Sequence, residues 1–145
     1  MSLTPSWSLG DALARLLDEE IAVCRDLLAS TRAAAAALEA EDGERLEAAL
    51  ASRARHLLRL EALEKEASSS RGPGGALPAR LRSRLQELGA LTRELRHEDR
   101  RAQEAGRRAL AALRAGIARL DRGRAGLRSY RGAASPTARF ADRRG

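Results

Sequence analysis

The sequence predicts an all-α protein, an elongated antiparallel helical bundle or coiled coil of three long helices with a flexible C-terminal tail. Three observations carry that expectation. The chain is 43% apolar and 32% charged, and Ala, Leu, Arg and Glu dominate it, a mixture typical of long helices. Leu and Ala recur in steps of three and four from Leu9 to Leu127, with two breaks. β-Branched aliphatics are nearly missing, since Ile21, Val23 and Ile117 are the only Val or Ile, and no strand-like alternation occurs. At 145 residues one helical domain is expected, over 1–132, followed by a tail over 133–145.

The first helix is predicted over about residues 8–40. Ser8 is placed to cap it, with Asp11 three positions on. Its apolar face reads Leu9, Leu13, Leu16, Leu17, Ile21, Cys24, Leu27, Leu28, Thr31, Ala35 and Leu38, and Asp18-Glu19-Glu20 falls on the other face. The run Ala33 to Ala37 favours helix and admits a close neighbour. Glu41-Asp42-Gly43 is the first break, and Asp42 can cap the second helix. So short a connection makes the first two helices antiparallel neighbours.

The second helix is predicted over about 43–67, with a stripe of Leu46, Ala49, Leu50, Leu57, Leu60, Leu63 and Ala67. Arg53 interrupts it, and an Arg at such a seam usually carries its head to water. Residues 68–77 are rich in Ser, Gly and Pro and read as a loop.

The third helix is predicted over about 78–131. Its stripe runs Leu81, Leu85, Leu88, Leu91, Thr92, Leu95, Asp99, Ala102, Gly106, Ala109, Leu110, Leu113, Ile117, Leu120 and Leu127, close to a heptad. At ~1.5 Å per residue such a helix measures roughly 75–80 Å, against about 45–50 Å for the first. It must therefore protrude or bend. From Arg96 to Arg108 the stripe lacks a large aliphatic. A solvated waist in a continuous helix is the expectation there. The alternative is a hinge near Gly106 that separates Leu81–Leu95 from Leu110–Leu127.

Charge is unevenly distributed. Residues 1–67 carry 8 basic and 13 acidic side chains, and residues 68–145 carry 19 and 7. The two halves attract if they pack side by side. Of the 27 basic residues only Lys65 is not Arg, a bias in keeping with GC-rich coding.

Catalytic and metal patterns are incomplete. His97-Glu98-Asp99-Arg100-Arg101 begins like a zinc-protease motif, but Arg101 stands where a second His is required. Glu94 and His97 form one Glu-x-x-His unit, whereas a di-iron bundle needs two such units and two further Glu. His56 has Arg53 three positions before it, so the second unit is missing. Cys24 is the single cysteine, which excludes an internal disulfide, and its place on the apolar stripe predicts a small buried hydrophobe. No phosphate-binding glycine loop is found. The reading is of a non-enzyme without cofactor or metal, without a membrane-spanning segment, and cytoplasmic.

The aromatics Trp7, Tyr130 and Phe140 all lie outside the long aliphatic stripes, which points toward partner binding. Trp7 is expected to staple onto the first turn of helix one. The row Leu110, Leu113, Ile117, Leu120 and Leu127 has the spacing with which an amphipathic helix meets a partner helix. The bland alternatives are that this row packs on the first two helices, that Tyr130 caps the bundle end and that Phe140 is idle in solvent.

The order of parts resembles the flagellar export chaperone family, the FlgN-like proteins. Leu27-Leu28 through Leu38-Glu39-Ala40-Glu41-Asp42 is similar to that family's leucine pair and acidic stop. Leu46 to Glu64 is similar to its second helix, and Phe140-Ala141-Asp142-Arg143-Arg144-Gly145 to its aromatic–acidic–glycine end. Phe here stands for the usual Tyr, with one residue inserted before Asp142. Asp99 or Gln103 takes the place of a mid-helix Asn, a residue this chain lacks. The resemblance implies a cytoplasmic type III export chaperone that binds hook-associated proteins through its C-terminal helix region and delivers them to the export gate. On that reading Leu110, Leu113, Ile117, Leu120 and Leu127 bind substrate, and Tyr130 and Phe140 dock at the gate, since aromatics dominate interface hot spots. A self-associating coiled coil is the structural alternative. A nucleic-acid-binding Arg-rich helix is the third, though interleaved aromatics for base stacking are lacking. The partners expected are thus the hook-associated proteins and the gate, without nucleic acid, and the oligomeric state is left open.

Overall fold

The computed structural model describes residues 9–70 and 79–141. They form three helices, α1 (Leu9–Glu39), α2 (Gly43–Ser70) and α3 (Ala79–Ala141), and no strand. The chain is therefore all-α. It divides into two units, Met1–Gly106 and Arg107–Gly145.

In the first unit α1 and α2 are antiparallel. Ser30 meets Ser52, Thr31 meets Arg53 and Glu19 meets Arg59, so positions rise on one helix as they fall on the other. The turn between them is closed by a Schellman arrangement. Asp42 N–H donates to Ala37 O at 2.9 Å and Glu41 N–H to Leu38 O at 3.3 Å. Its left-handed position is held by Glu41, with φ 54°, although Gly43 is only two residues away. Asp42 then caps α2 as expected, its Oδ1 accepting from Arg45 N–H at 3.1 Å.

The start of α3 packs into the open end of this hairpin. Leu81 joins Leu13, Ala14, Leu17 and Ala67 in a buried cluster, with Leu85 and Leu88 against it. Ala67 beside Leu81 and Arg53 beside Asp99 make α2 and α3 antiparallel. α1 and α3 are consequently parallel.

α1 is the central element. It supplies ten of the fifteen buried apolar side chains among the described residues. Burial extends past the expected stripe to Ala14, Glu20, Ser30, Ala34 and Ala37, because α1 faces two neighbours and a single stripe covers one. Of Asp18-Glu19-Glu20, expected opposite the apolar stripe, Asp18 and Glu19 are exposed and Glu20 is covered. Asp18 bonds to Arg84 of α3, Glu19 to Arg59 of α2, and Glu20 is buried.

α2 is buried more narrowly than its stripe predicts. Ala49, Leu63 and Ala67 are buried, while Leu50, Leu57 and Leu58 are exposed. Element ends also differ from the sequence reading. α2 continues to Ser70 and α3 to Ala141, so the break begins later and the helix covers part of the expected tail. Trp7 and Ser8, with the staple and cap expected of them, lie outside the described residues, as do residues 142–145.

Candidate functional site

Among the described residues, five of the ion pairs that join α1 to α3 have their α1 members seven residues apart. They are Asp11–Arg80, Asp18–Arg84, Arg25–Glu87, Arg32–Glu94 and Glu39–Arg101. The α1 members recur every seventh residue, which in a left-handed helix pair is one row along the seam. On α1 the signs run minus, minus, plus, plus, minus, and α3 opposes each. The last three pairs share one register. Sliding α3 by one heptad from it sets Asp18 opposite Glu87 and Arg32 opposite Arg101. Sliding it the other way sets Arg25 opposite Arg80 and Glu39 opposite Glu94. Each of these four is a pair of like sign, and they offset the opposite pairs that the same slides form, Asp11 with Arg80 and Arg25 with Glu94 in the first and Arg32 with Glu87 in the second. Each exposed pair contributes about 0–1 kcal/mol, so the row selects a register more than it adds stability. The hydrogen bond from Arg84 to Asp18 raises the pKa of that guanidinium further.

A polar layer crosses all three helices near the middle of this unit. Thr31, buried, donates to Leu27 O at 2.9 Å. Arg53 Nε donates to Thr31 Oγ1 at 3.3 Å, and Arg53 Nη2 donates to Asp99 Oδ1 at 2.9 Å. The Arg53 head therefore does not run to water as expected, because Asp99 gives it a partner within the bundle. Ser30, Ser52 and His56 extend the layer, Ser52 Oγ standing 3.3 Å from His56 Nε2.

The same contacts revise the waist of α3. Glu98 and Ala105 are buried, and Asp99 is held by Arg53. Glu98 lies between Arg32 and Arg101, 3.5 and 3.7 Å from their nitrogens, with Oε2 buried and lacking a hydrogen bond. The segment is solvated on its outer face, while Glu98 and Ala105 are covered and Asp99, Ala102 and Gly106 are half-buried.

Among the described residues no group of three or more His, Cys, Asp or Glu is placed to hold a metal ion. Glu94 is engaged by Arg32, and His97 is exposed. Cys24 is buried as expected, and burial, then Glu20 and Glu64, push its thiol pKa up. A cleft of about 500 Å³ between the end of α1 and the start of α2 is lined by Ala33, Ala36, Ala37, Ala40, Arg45, Ala48 and Ala49. Asp42 holds the Arg45 guanidinium, and the rest of that lining is methyl groups.

The candidate site is the second unit's stretch of α3. Leu110, Leu113, Ile117, Leu120 and Leu127 are 46–66% exposed, and Tyr130 is 75% exposed. All five apolar residues predicted to bind a partner stand on one helix. Ala109 and Gly116 beside them are half-buried, and a Cβ added at Gly116 or Gly123 meets nothing within 4 Å. Phe140 lies within α3, and its side chain is outside the described residues. No described helix is long and apolar enough to cross a membrane.

Fold and surface together define the class, an all-α protein with a three-helix unit and a leucine-bearing, arginine-rich helical segment. No family model matches the chain, and no curated protein or solved structure is significantly similar to it.

Proposed function

We propose that the chain is a cytoplasmic flagellar type III export chaperone. It binds hook-associated proteins of the hook–filament junction through the C-terminal part of α3 and delivers them to the export gate. The observation that carries the reading is the exposed row Leu110, Leu113, Ile117, Leu120 and Leu127. Five large aliphatics exposed along one helix face mark an interaction surface, and their spacing suits an amphipathic partner helix. The resemblance in order of parts and in the chain end supplies the partner class. Tyr130 and Phe140 are the residues assigned to gate docking. Co-expression with each junction protein followed by gel filtration tests the proposal. A shared peak that Leu113→Asp abolishes supports it, and separate elution with both junction proteins removes it.

The same exposed row supports a second reading, self-association as a structural coiled coil. Solution mass separates the two. A stable dimer dissociated by Leu113→Asp favours self-association, and a monomer that binds a junction protein favours the chaperone.

A further inference from the structure

We infer that the helix received by the Leu110–Leu127 face is an acidic one, with carboxylates recurring about every seventh residue along its apolar edge. The inference rests on the chaperone reading and assigns the chemistry of that partner. The first unit flanks its α1–α3 seam with charges of opposite sign that recur every seventh residue of α1, from Asp11–Arg80 to Glu39–Arg101. Arg80, Glu87, Glu94 and Arg101 are one row of α3, and at the same seven-residue spacing the sequence reaches Arg122.

In the second unit one sign prevails. From Arg107 to Gly132 the chain has eight Arg and one acidic residue, Asp121. Arg114, Arg119, Arg122, Arg124, Arg128 and Arg131 are all exposed. Arg107, Arg114 and Arg128 occupy a row at seven-residue spacing, interrupted by Asp121, and Arg124 and Arg131 extend the row of Leu110 and Ile117. A seam of this kind, completed as the first unit completes its own, requires the minus sign from outside.

Other occupants match less well. A second copy presents the same arginines, and like charges along a seam repel. A bilayer interface accepts a continuous apolar face, but Arg124 and Arg131 stand in line with Leu110 and Ile117 on this one. Nucleic acid answers the arginines and leaves five aliphatic side chains wet. An acidic amphipathic helix answers both the leucines and the arginines.

The test uses the full chain and three synthetic helical peptides sharing one leucine face, with Glu, Gln or Lys at the flanking positions. The Glu peptide should bind at least about tenfold more tightly than the Gln peptide, the sum of a few exposed ion pairs, and the advantage should shrink with salt. The exposed triple variant Arg114→Glu, Arg122→Glu, Arg128→Glu should reverse the preference toward the Lys peptide. Equal binding of the Glu and Gln peptides overturns the acidic assignment and leaves helix binding standing. Binding of none of the peptides overturns both. Tighter capture of anionic phosphatidylserine vesicles or of duplex DNA than of the Glu peptide also overturns the assignment.

Discussion

Arg53 Nη2 of α2 donates to Asp99 Oδ1 of α3 at 2.9 Å, while Arg53 Nε reaches Thr31 Oγ1 of α1 at 3.3 Å. One guanidinium thus ties three helices at one level. Its planar fork makes this possible, since two donors on different nitrogens point to different helices. The pair keeps about a third of its surface, so water competes for it and moderates its strength. Asp99→Ala should lower stability by about 1–2 kcal/mol in urea unfolding. A double-mutant cycle with Arg53→Ala should give a coupling of about 1 kcal/mol. A coupling of zero means that water serves Arg53 equally well.

The α1–α3 row predicts a charge-rescue result. Glu87→Arg places a like charge opposite Arg25. The variant should lose about 0.5–1 kcal/mol at low ionic strength and less at high salt. Adding Arg25→Glu should restore most of it, whereas Arg32→Glu should not rescue Glu94→Arg, because Arg32 also serves buried Glu98. Thermal melts at two salt concentrations read both effects, and failure of the Arg25→Glu, Glu87→Arg variant to recover discounts the pairing.

Glu41 sits at a left-handed backbone position, φ 54°. An L-residue there bears about 1–2 kcal/mol of steric cost that glycine avoids. Glycine also gives back part of this through the unfolded chain. Glu41→Gly should therefore raise stability by about 0.5–1 kcal/mol, and Glu41→Val should lower it. Denaturation midpoints of the two variants must move in opposite directions.

Cys24 predicts a pH effect of known sign. Burial first, then Glu20 and Glu64, raise its pKa in the folded chain. The folded state then holds the thiol proton more firmly than the unfolded state. That stability is fully present below the unfolded thiol pKa of about 8.5, and it is lost as pH rises through the higher folded value. Cys24→Ser should flatten the decline in stability above that point. The native thiol should also react with an aromatic disulfide reagent far more slowly than in denaturant. Rapid native reaction at neutral pH contradicts the burial.

Binding and docking should separate by residue. Leu113→Ala and Leu120→Ala, at exposed positions, should change stability by no more than about 0.5 kcal/mol and weaken capture of a hook-associated protein. Phe140→Ala should leave folding and that capture intact and reduce export. Normal secretion by the Phe140 variant removes the docking role from the chain end, with the binding face untouched.

The three helices were legible in the sequence because a 3.6-residue period is local. Spacing alone placed Leu13, Leu17, Cys24, Leu27 and Leu63 in the core, and spacing alone put Leu110 to Leu127 on one face. The halves' opposite charge was legible too, but its use was not. Matching Arg25 to Glu87, or Asp18 to Arg84, requires the register of two helices sixty or more residues apart, and composition is blind to register. The seven-residue recurrence of Asp11, Asp18, Arg25, Arg32 and Glu39 was the signal that could have found it.

What the sequence by itself determined is the helices, their approximate ends, the antiparallel hairpin and the aliphatic stripes, all consequences of propensity and short-range geometry. The tertiary structure alone decided which residues of each stripe are covered. α1, between two neighbours, buries even Glu20 and Ser30. α2 leaves Leu50 and Leu57 exposed. Arg53 turns inward because Asp99 is there to receive it. Burial and pairing are decided by what stands opposite, and nothing in a helix's own sequence specifies its neighbour.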